Sequence, residues 1–410
     1  MKILLVADVS IHSVIGGAER VLYEQAVGLQ RSGHEVHILT RCLPEHQNYQ
    51  DIIEGVYEWR YNVEHSNNLS FLISTFRNGA LLFERLRNEY AYECINGYQP
   101  FSSYSVRCSS LSREIPFVYT CLSFSFEEYL SRRKIRRGLL GQGFDALNVY
   151  LRKRIEKKVL ASAERIIVLS EFTRDKLTQV YRTPSDRISI IPGGVDIRRF
   201  HPADDRKTIR IRLGLPVHRF ILLTVRNLVP RMGLENLIAA MRVVVDAVPE
   251  ILLFIGGTGP LGASLRRQRD ELELQENIFF TGFIPEADLP DYYRSADVFV
   301  LPTIELEGFG LVTLEALASG TPVLGTPIGG TREILGRLDV ESLFRDTSPA
   351  ALADLIIETS RRFLRRPEDW QMASSQCRQF VEQFYTWERN IDAVEKILTM
   401  HTGSVTKDRK

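Results

Sequence analysis

The sequence predicts an α/β protein with two parallel-sheet domains. Short apolar runs alternate with amphipathic helical stretches along the chain, which is typical of parallel strands covered by crossover helices. This series pauses in a polar stretch at residues 192–207 that begins with Pro and Gly, and a new series begins at residue 220. A length of 410 residues is enough for two or three domains.

The first domain is predicted to cover residues 1–200. An apolar run at 3–7 forms its first strand, and a helix at about 18–32 leads through Gly33 to a second strand at 35–40. These elements make one strand–helix–strand unit. Further strands are predicted in the apolar runs 92–95, 117–120, 165–169 and 188–191, and Ser170 is predicted to cap the helix after the third of these.

The second domain is predicted to cover residues 201–380. Its strands are expected in four apolar runs, at 220–225, 251–255, 298–301 and 322–324. Beyond residue 348 the pattern is helical. Residues 381–410 are expected to form a final amphipathic helix and a frayed polar tail.

Charge and cysteine content argue against several classes of protein. Lys and Arg total 52 against 51 Asp and Glu, so the net charge gives no reason to expect nucleic acid as a partner. The five cysteines have no C-x-x-C spacing and the histidines do not cluster, so we expect neither a disulfide framework nor a protein-held metal. With no apolar stretch of about 18 residues, we expect a cytoplasmic protein, soluble or peripheral at the inner face of the membrane.

The strongest chemical signal follows the third strand of the second domain. A loop with acids and glycines leads into a helix that starts near Gly310, so the free amides of Leu311 and Val312 can bind a diphosphate. The carboxylates of Glu307 and Glu315 can bind hydroxyl groups. Glu315 lies one turn into a helix that is apolar nearly all round, which disfavours a solvated surface position. The segment therefore predicts a sugar-nucleotide site.

Two Gly-rich turns follow other strands. Gly17 opens the first helix of the chain, and Gly257 follows the second strand of the second domain. Bare backbone at either position could approach a phosphate, although a tight turn explains the glycines equally well. The spacing differs from G-x-G-x-x-G, which argues against a dinucleotide-binding fingerprint.

Together these motifs resemble those of the family-four retaining glycosyltransferases, which have the GT-B fold. Glu307 and Glu315, with Gly-Phe-Gly between them, match the family's Glu-x7-Glu motif. Further matches occur in the family's order over nearly the whole chain, at 16–20, 170–173, 191–196, 257–260 and 320–323. The resemblance implies two Rossmann-like domains that face each other across a cleft, with the final helix crossing back to the first domain.

The resemblance also implies roles for single residues. Glu315 would bind the ribose, Glu307 and the amides of Phe309 and Gly310 the donor sugar, and Gly17 the phosphate side, while Glu19 would belong to the acceptor side. The implied reaction transfers a hexose from a nucleoside-diphosphate sugar to a hydroxyl of a glycan or lipid-linked acceptor. It proceeds with retention and without a cofactor.

The chain departs from the family where cations normally bind the diphosphate. The family usually has an Arg after the first strand of the second domain and a Lys before the next Gly, but Asn227 and Met232 occupy these positions. Losing both charges would leave the leaving group poorly stabilised. We therefore hypothesise that Arg226 and Arg231, each one residue upstream, supply the cations, while Asn227 still lies in the donor site.

A second departure concerns the first domain. Many relatives carry a His after the strand that corresponds to 117–120, whereas Cys121 is the nearest equivalent here. A thiol with a reference pKa near 8.5 is a poor substitute for an imidazole. The sequence favours a small buried residue over a catalytic one at Cys121, which we keep as an acceptor-side candidate.

One segment is strongly basic. Residues 132–158 contain ten Lys or Arg residues against two acids, Asp145 and Glu156. A plain amphipathic surface helix explains the pattern, and so does docking to anionic lipid headgroups or to a phosphorylated, lipid-linked acceptor.

Two other functions stay open. The missing His and displaced cations are compatible with a non-catalytic partner subunit that only binds a sugar nucleotide. Another enzyme on the same scaffold, such as an epimerase or a phosphorylase, is the second alternative. A phosphorylase of this architecture would need a Lys-bound pyridoxal cofactor.

Overall fold

The computed structural model describes residues 1–12, 16–44, 46–133 and 142–400. The chain divides into two compact units: unit 1 contains residues 1–193 together with 387–410, and unit 2 contains residues 194–386. Each unit contains one sheet of mainly parallel strands. No helix in these described ranges is long and apolar enough to cross a membrane.

The division falls close to, but not at, the expected boundaries of 200 and 380. The first lies earlier because Val195 pairs with Thr386 as a parallel bridge and donates to the Tyr385 carbonyl at 3.0 Å, within unit 2. The second lies later because Arg378 donates to the carbonyls of Phe200 and Ala318, which holds the penultimate helix on unit 2.

Unit 1 contains a sheet of eight strands within the described residues. They are β1 (Lys2–Val6), β2 (Glu35–Arg41), β3 (Gln50–Ile53), β4 (Val56–Tyr61), β5 (Cys94–Gly97), β6 (Phe117–Cys121), β7 (Arg165–Val168) and β8 (Ile188–Ile190). Their spatial order is β3-β4-β2-β1-β5-β6-β7-β8. All neighbours are parallel except β3 and β4, which are antiparallel.

Helices cover both faces of this sheet. They are α1 (Gly17–Arg31), α2 (Asn68–Glu89), α3 (Pro100–Cys108), α4 (Ser125–Arg133), α5 (Gln142–Ser162), α6 (Glu171–Tyr181) and, from the end of the chain, α15 (Trp387–Met400). Ser170 caps α6 as predicted, because its hydroxyl accepts the Thr173 amide at 3.1 Å. The last helix joins unit 1 through Gln25, whose amide donates to Asn390 at 2.9 Å.

The β3–β4 hairpin is absent from the sequence prediction. β4 carries Glu58 and Arg60 among its buried residues, so its sequence lacks a continuous apolar run. The Glu58 carboxylate is fully buried and accepts hydrogen bonds from the Ser10 hydroxyl at 2.7 Å, the Ile11 amide at 2.9 Å and Arg60 Nε at 2.7 Å. This buried network fixes the loop that follows β1.

Unit 2 contains a fully parallel sheet of five strands. They are β9 (Phe220–Val225), β10 (Ile251–Gly256), β11 (Ile278–Gly282), β12 (Val298–Leu301) and β13 (Val323–Gly325), in the order β11-β10-β9-β12-β13. The four predicted strands are confirmed. The edge strand β11 was not predicted, since it is short and mostly only partly buried.

The helices of unit 2 follow the strands in chain order. They are α7 (Arg206–Arg212), α8 (Leu234–Ala247), α9 (Gly262–Glu271), α10 (Leu289–Ser295), α11 (Leu311–Ala318), α12 (Gly329–Leu338), α13 (Pro349–Arg365) and α14 (Pro367–Phe384). Buried side chains of β9, β10, β12 and α8 form the core. The predicted α/β class with two parallel sheets is therefore confirmed.

A partly buried ion cluster ties α7 to this sheet. The Asp297 carboxylate, one residue before β12, contacts Arg206 at 2.8 Å and Arg210 at 2.7 Å, and it accepts the Ile221 amide at 2.7 Å. The Asp297 carbonyl accepts the Trp370 indole N–H at 2.8 Å. Two cations share one carboxylate, so the cluster depends on Asp297.

We predict that Asp297→Ala destabilises unit 2 by about 3 kcal/mol, because it leaves two partly buried guanidinium groups without a counter-ion. Urea unfolding followed by tryptophan fluorescence measures the loss. Asp354→Ala, which removes an exposed carboxylate from α13, is the control and should change stability by less than about 0.5 kcal/mol. Equal stability of the two variants would contradict the assignment.

Candidate functional site

The candidate site lies at the carboxyl edge of the unit 2 sheet. β9 and β12 are parallel neighbours, with Leu222 opposite Val298 and Leu223 opposite Phe299. Parallel neighbours bring their following loops to the same edge, where ligands of open α/β sheets bind. The loop after β9 carries Arg226, and the loop after β12 carries Glu307.

Glu307 and Arg226 form a buried ion pair. Arg226 Nη2 contacts Glu307 Oε2 and donates to the Thr303 hydroxyl at 2.6 Å. That hydroxyl donates to the same carboxylate oxygen at 3.2 Å. The sequence predicts Arg226 as a cation for the diphosphate and Glu307 as a sugar ligand. Their pairing and the contact with Thr303 are visible only in the structure.

The first turn of α11 stands next to Glu307. Gly310 precedes the helix with a φ of 97° and gives it no side-chain cap. The amides of Leu311 and Val312 belong to the first turn, whose N–H groups have no partner inside a helix. The helix N-terminus thus presents N–H donors and a positive dipole end, which suit an anion. Binding of a diphosphate by these amides stays a prediction.

Glu315 lies one turn into α11 and is buried, so the alternative of a solvated helix residue is wrong. Its Oε2 accepts a hydrogen bond from the Tyr293 hydroxyl at 2.8 Å. Burial, together with the negative charge of Glu315, raises the pKa of Tyr293 well above its usual range, so this phenol stays a donor. Tyr293, which comes from α10, is not among the residues predicted from the sequence.

Apart from Arg226, the residues of the displaced-cation hypothesis lie in three different environments. Met232 is buried in the core of unit 2, and Asn227 is exposed. Arg231 is partly buried, and its Nη1 donates to the carbonyl of Leu306 at 3.1 Å. Arg231 therefore contacts the loop that carries Glu307, whereas the side chain at 232 packs into the core.

Glycines allow neighbouring loops to approach this site. Gly257 has a φ of 119°, and a Cβ there would overlap the carbonyl oxygen of Arg226. At the start of α12, a Cβ on Gly329 would overlap the carbonyl of Glu307, and one on Gly330 would overlap the backbone of Phe309. The Gly-Gly pair at 329–330 was missed, although paired glycines before a helix are a usable sequence signal.

In unit 1, α1 begins at the exposed Gly17. Burial raises the pKa of the Glu19 carboxyl, and hydrogen bonds from the backbone of Glu19 and Gly16 partly oppose this shift. The Glu19 side chain therefore folds back over the first turn of its own helix. Its acceptor-side role stays a prediction.

Cys121 ends β6 and is buried. Burial, together with the charge of Glu156, raises the pKa of its thiol well above the usual range, and the thiol donates to the Ser123 carbonyl at 3.7 Å. A neutral buried thiol is a poor base and a poor nucleophile. The structure thus agrees with the interpretation as a small buried residue.

Glu156 of α5 organises the loop after Cys121. Its carboxylate accepts the Ser125 amide, at the start of α4, at 2.6 Å, and it accepts the Tyr181 hydroxyl of α6. Burial raises the pKa of Glu156 to about 7. In the sequence, Glu156 is only one of two acids within the basic segment, and no pattern there shows its burial.

The basic segment 132–158 is described only in part. Residues 134–141, and the side chains of Arg132 and Arg133, lie outside the described residues. In α5, Ile155 and Val159 are buried, but Leu151, which their spacing predicts on the same apolar stripe, is exposed. The described helix is therefore amphipathic, as expected.

Within the described ranges, no group of three or more His, Cys, Asp or Glu side chains is placed to hold a metal ion.

Models of known families match most of the chain. The model described as Glycosyltransferase Family 4 matches residues 15–199, and the model described as Glycosyl transferases group 1 matches residues 205–371. The first match lies almost entirely in unit 1, and the second lies within unit 2.

Curated relatives are similar at moderate identity. A D-inositol 3-phosphate glycosyltransferase from Corynebacterium glutamicum is 28% identical over 362 residues, which are 83% of this chain and 82% of that protein. A GDP-mannose-dependent alpha-(1-6)-phosphatidylinositol monomannoside mannosyltransferase from Mycolicibacterium smegmatis is 33% identical over 216 residues, which are 50% of this chain and 56% of that protein.

Solved structures share the fold. Sucrose-phosphate synthase from Thermosynechococcus elongatus superposes with a TM-score of 0.80 at 23% identity, covering 98% of this chain and 99% of that chain. Anabaena HepE in complex with UDP gives a TM-score of 0.75 at 18% identity, covering 98% of this chain and 100% of that chain.

We predict that Glu156 makes the protein less stable as the pH rises. The pKa of Glu156 is raised from 4.5 to about 7 in the folded state, so its contribution is full below pH 4.5 and is lost as the pH rises to about 7. Glu156→Gln removes this titration. The free energy of unfolding of the variant minus that of wild type should therefore be about 2 kcal/mol larger at pH 8 than at pH 5. Urea unfolding at both pH values measures the gain, and a pH-independent difference between the proteins would refute the prediction.

Proposed function

Because the chain belongs to glycosyltransferase family 4 and has the GT-B fold, we propose that it transfers a hexose from a nucleoside-diphosphate sugar to an acceptor hydroxyl, with retention at the anomeric carbon. The observation that carries this proposal is the placement of two buried acids, Glu307 and Glu315, on either side of the first turn of α11. Acids for hydroxyls and amides for a diphosphate together suit a sugar nucleotide.

Each part of the donor has a proposed partner. Glu315 binds the ribose, and Glu307 with the amides of Phe309 and Gly310 binds the sugar. The diphosphate is proposed to bind at the amides of Leu311 and Val312, close to Asn227 and Gly257. The role of Gly17 on the phosphate side stays an implication of the family resemblance. Stabilisation of the leaving diphosphate by amides and Arg231 then dominates catalysis. We propose no protein nucleophile, no cofactor and no metal.

The acceptor is proposed to be a glycan or a lipid-linked polyol, bound mainly by unit 1 near Glu19 and Cys121. The names of the two relatives given above indicate acceptors that contain inositol phosphate or a phosphatidylinositol mannoside. The second of them uses GDP-mannose, which makes this nucleotide sugar the first to test as donor.

A panel of UDP-, GDP- and ADP-sugars screened by thermal shift tests the proposal, since a bound donor stabilises the folded protein. The proposal requires that at least one sugar nucleotide raises the unfolding temperature and releases nucleoside diphosphate. Stabilisation without any release would favour the alternative of a non-catalytic subunit. Absorbance of a pyridoxal cofactor would favour a phosphorylase.

We predict that Arg231→Gln weakens binding of the nucleoside diphosphate and of the sugar nucleotide to the same extent, about tenfold. A cation that acts on the diphosphate affects both ligands equally. Isothermal titration calorimetry measures both affinities. Arg242→Gln is the control, because Arg242 is a half-exposed cation of α8 paired with Asp246. If Arg231→Gln binds both ligands as wild type does, the hypothesis of a displaced cation fails.

We also propose that unit 1 docks on an anionic membrane surface. Exposed apolar side chains stand on two adjacent helices, Leu69 and Ile73 on α2 and Leu147 and Tyr150 on α5. The helices meet where Asn68 donates to Asn148 at 3.4 Å.

Cations accompany these apolar side chains. On α5, Arg154, Lys157 and Lys158 are exposed. Both acids of the helix are engaged, because Asp145 accepts the Tyr129 hydroxyl at 2.6 Å and Glu156 is buried. Apolar side chains next to uncompensated cations suit anionic lipid headgroups over a hydrocarbon boundary. The proposal therefore includes a location at the cytoplasmic face of the membrane.

We predict that the double variant Leu69→Ser, Ile73→Ser binds vesicles of phosphatidylglycerol and phosphatidylcholine about tenfold more weakly than wild type. Co-sedimentation measures the binding. Leu81→Ser is the matched control, because Leu81 is an equally exposed apolar residue of α2 more than two turns away. Unchanged binding by the double variant would argue against membrane docking by this face.

A further inference from the structure

We infer that Arg226 and Thr303 are positioning residues that hold one oxygen of the Glu307 carboxylate and leave the other for the donor sugar. Resting on the proposed function, this inference specifies how the sugar half of the donor site is kept in place. It also changes the expected role of Arg226, which the sequence suggests is a ligand of the diphosphate.

The three side chains meet because of strand order. Arg226 directly follows β9, and Thr303 comes two residues after the end of β12. These two strands are parallel neighbours, so the residues after them lie at one edge of the sheet. Glu307, four residues further along the second loop, turns back toward that edge. We call these residues the Arg226–Thr303–Glu307 triad.

The direction of the hydrogen bonds in the triad is defined. Arg226 has only donors, so the Thr303 hydroxyl must accept from it, at 2.6 Å. The single hydroxyl hydrogen of Thr303 is then free to point at Glu307 Oε2, 3.2 Å away. Arg226 contacts this same oxygen directly. Oε2 is thus held from two sides.

The second oxygen of Glu307 has a different environment. Over the ranges that the structure describes, no hydrogen bond reaches Oε1 of Glu307. A carboxylate oxygen can accept two hydrogen bonds, so Oε1 can accept from sugar hydroxyls without losing a protein contact. Fixing Oε2 fixes the plane of the carboxylate and thereby the direction in which Oε1 accepts.

Burial makes this arrangement depend on Arg226. Glu307 and Arg226 are each 8% exposed, and Thr303 is 1% exposed. A buried carboxylate needs a counter-ion, which Arg226 provides. Arg226 also leaves its Nε buried without a hydrogen-bond partner in the described chain. The orientation of its guanidinium is therefore set by Nη2, which faces Thr303 and Glu307.

The backbone of Glu307 is held independently of the triad. Its carbonyl accepts the Gly330 amide at 3.0 Å. Leu306, one residue before it, adopts a φ of 59° and offers its carbonyl to Arg231. Substitutions in the triad should therefore alter the direction of the carboxylate while the loop stays in place.

Separate measurements of nucleotide and sugar binding test the inference. Calorimetry gives the dissociation constants of GDP-mannose and GDP, or of the matching pair that the donor panel selects. The ratio of the two constants reports the sugar contacts alone. In Arg226→Gln and Thr303→Val, the advantage of the sugar nucleotide over the diphosphate should fall roughly tenfold, with affinity for the diphosphate within about twofold of wild type.

Thr303→Ser is the matched control, because it keeps the hydroxyl and should keep the wild-type ratio. A general disturbance of the loop would affect serine and valine alike, so rescue by serine supports positioning. If a thermal melt shows that Arg226→Gln is not folded, Thr303→Val still tests the inference. Valine has nearly the shape of threonine, and the substitution changes no charge.

Three results would overturn the inference. Equal weakening of both ligands in Arg226→Gln would assign Arg226 to the diphosphate. An unchanged ratio in Thr303→Val would show that Thr303 does not orient Glu307, and equal losses in the serine and valine variants would show a general effect on the loop. Failure of the proposed function looks different, because the wild-type protein would then bind no sugar nucleotide of the panel, and the inference would fall with it.

Discussion

The parallel pairing of β9 with β12 is the constraint on which the candidate site depends. It brings two loops together that are about eighty residues apart in the chain, so that Arg226 meets Glu307. The same strand order places the first turn of α11 at this edge, with its amides facing the space beyond the sheet. Without this register, the acids and the amides would not converge on one ligand.

Buried charges repeat this principle elsewhere in the molecule. Glu58 with Arg60 fixes the loop after β1, and Asp297 joins α7 to the unit 2 sheet. In each case a carboxylate that would be costly to bury alone contacts a guanidinium. Glu58 also accepts hydrogen bonds from Ser10 and Ile11, and Asp297 contacts two arginines of α7, so each carboxylate connects segments that the strands leave separate. In the Arg226–Thr303–Glu307 triad, the paired carboxylate is the one proposed to bind the donor sugar.

The sequence was informative where patterns are local. The apolar runs predicted four of the five strands of unit 2, all except β11, and the apolar surroundings of Glu315 predicted its burial. Prediction failed where a residue's surroundings come from distant segments. β4 was not predicted because it contains Glu58, a charged residue whose hydrogen-bond partner Ser10 lies 48 residues away. The hydrogen bond from Tyr293 to Glu315 likewise depends on the packing of α10 on α11. No periodicity in the sequence contains such pairings.

The departure from the family's cation pattern has a geometric basis in the short turn Pro230–Met232. This turn is a 3-10 helix, in which successive side chains point about 120° apart. Met232 faces the core, whereas Arg231 is turned toward the loop of Glu307 and donates to Leu306. The main-chain carbonyl of Arg231 accepts from Ile304 at 2.9 Å, which anchors the turn to that loop whatever its side chains are. The cation at 231 therefore contacts the loop of Glu307 from the turn, while a charge at 232, with the backbone placed as it is, would be buried in apolar surroundings.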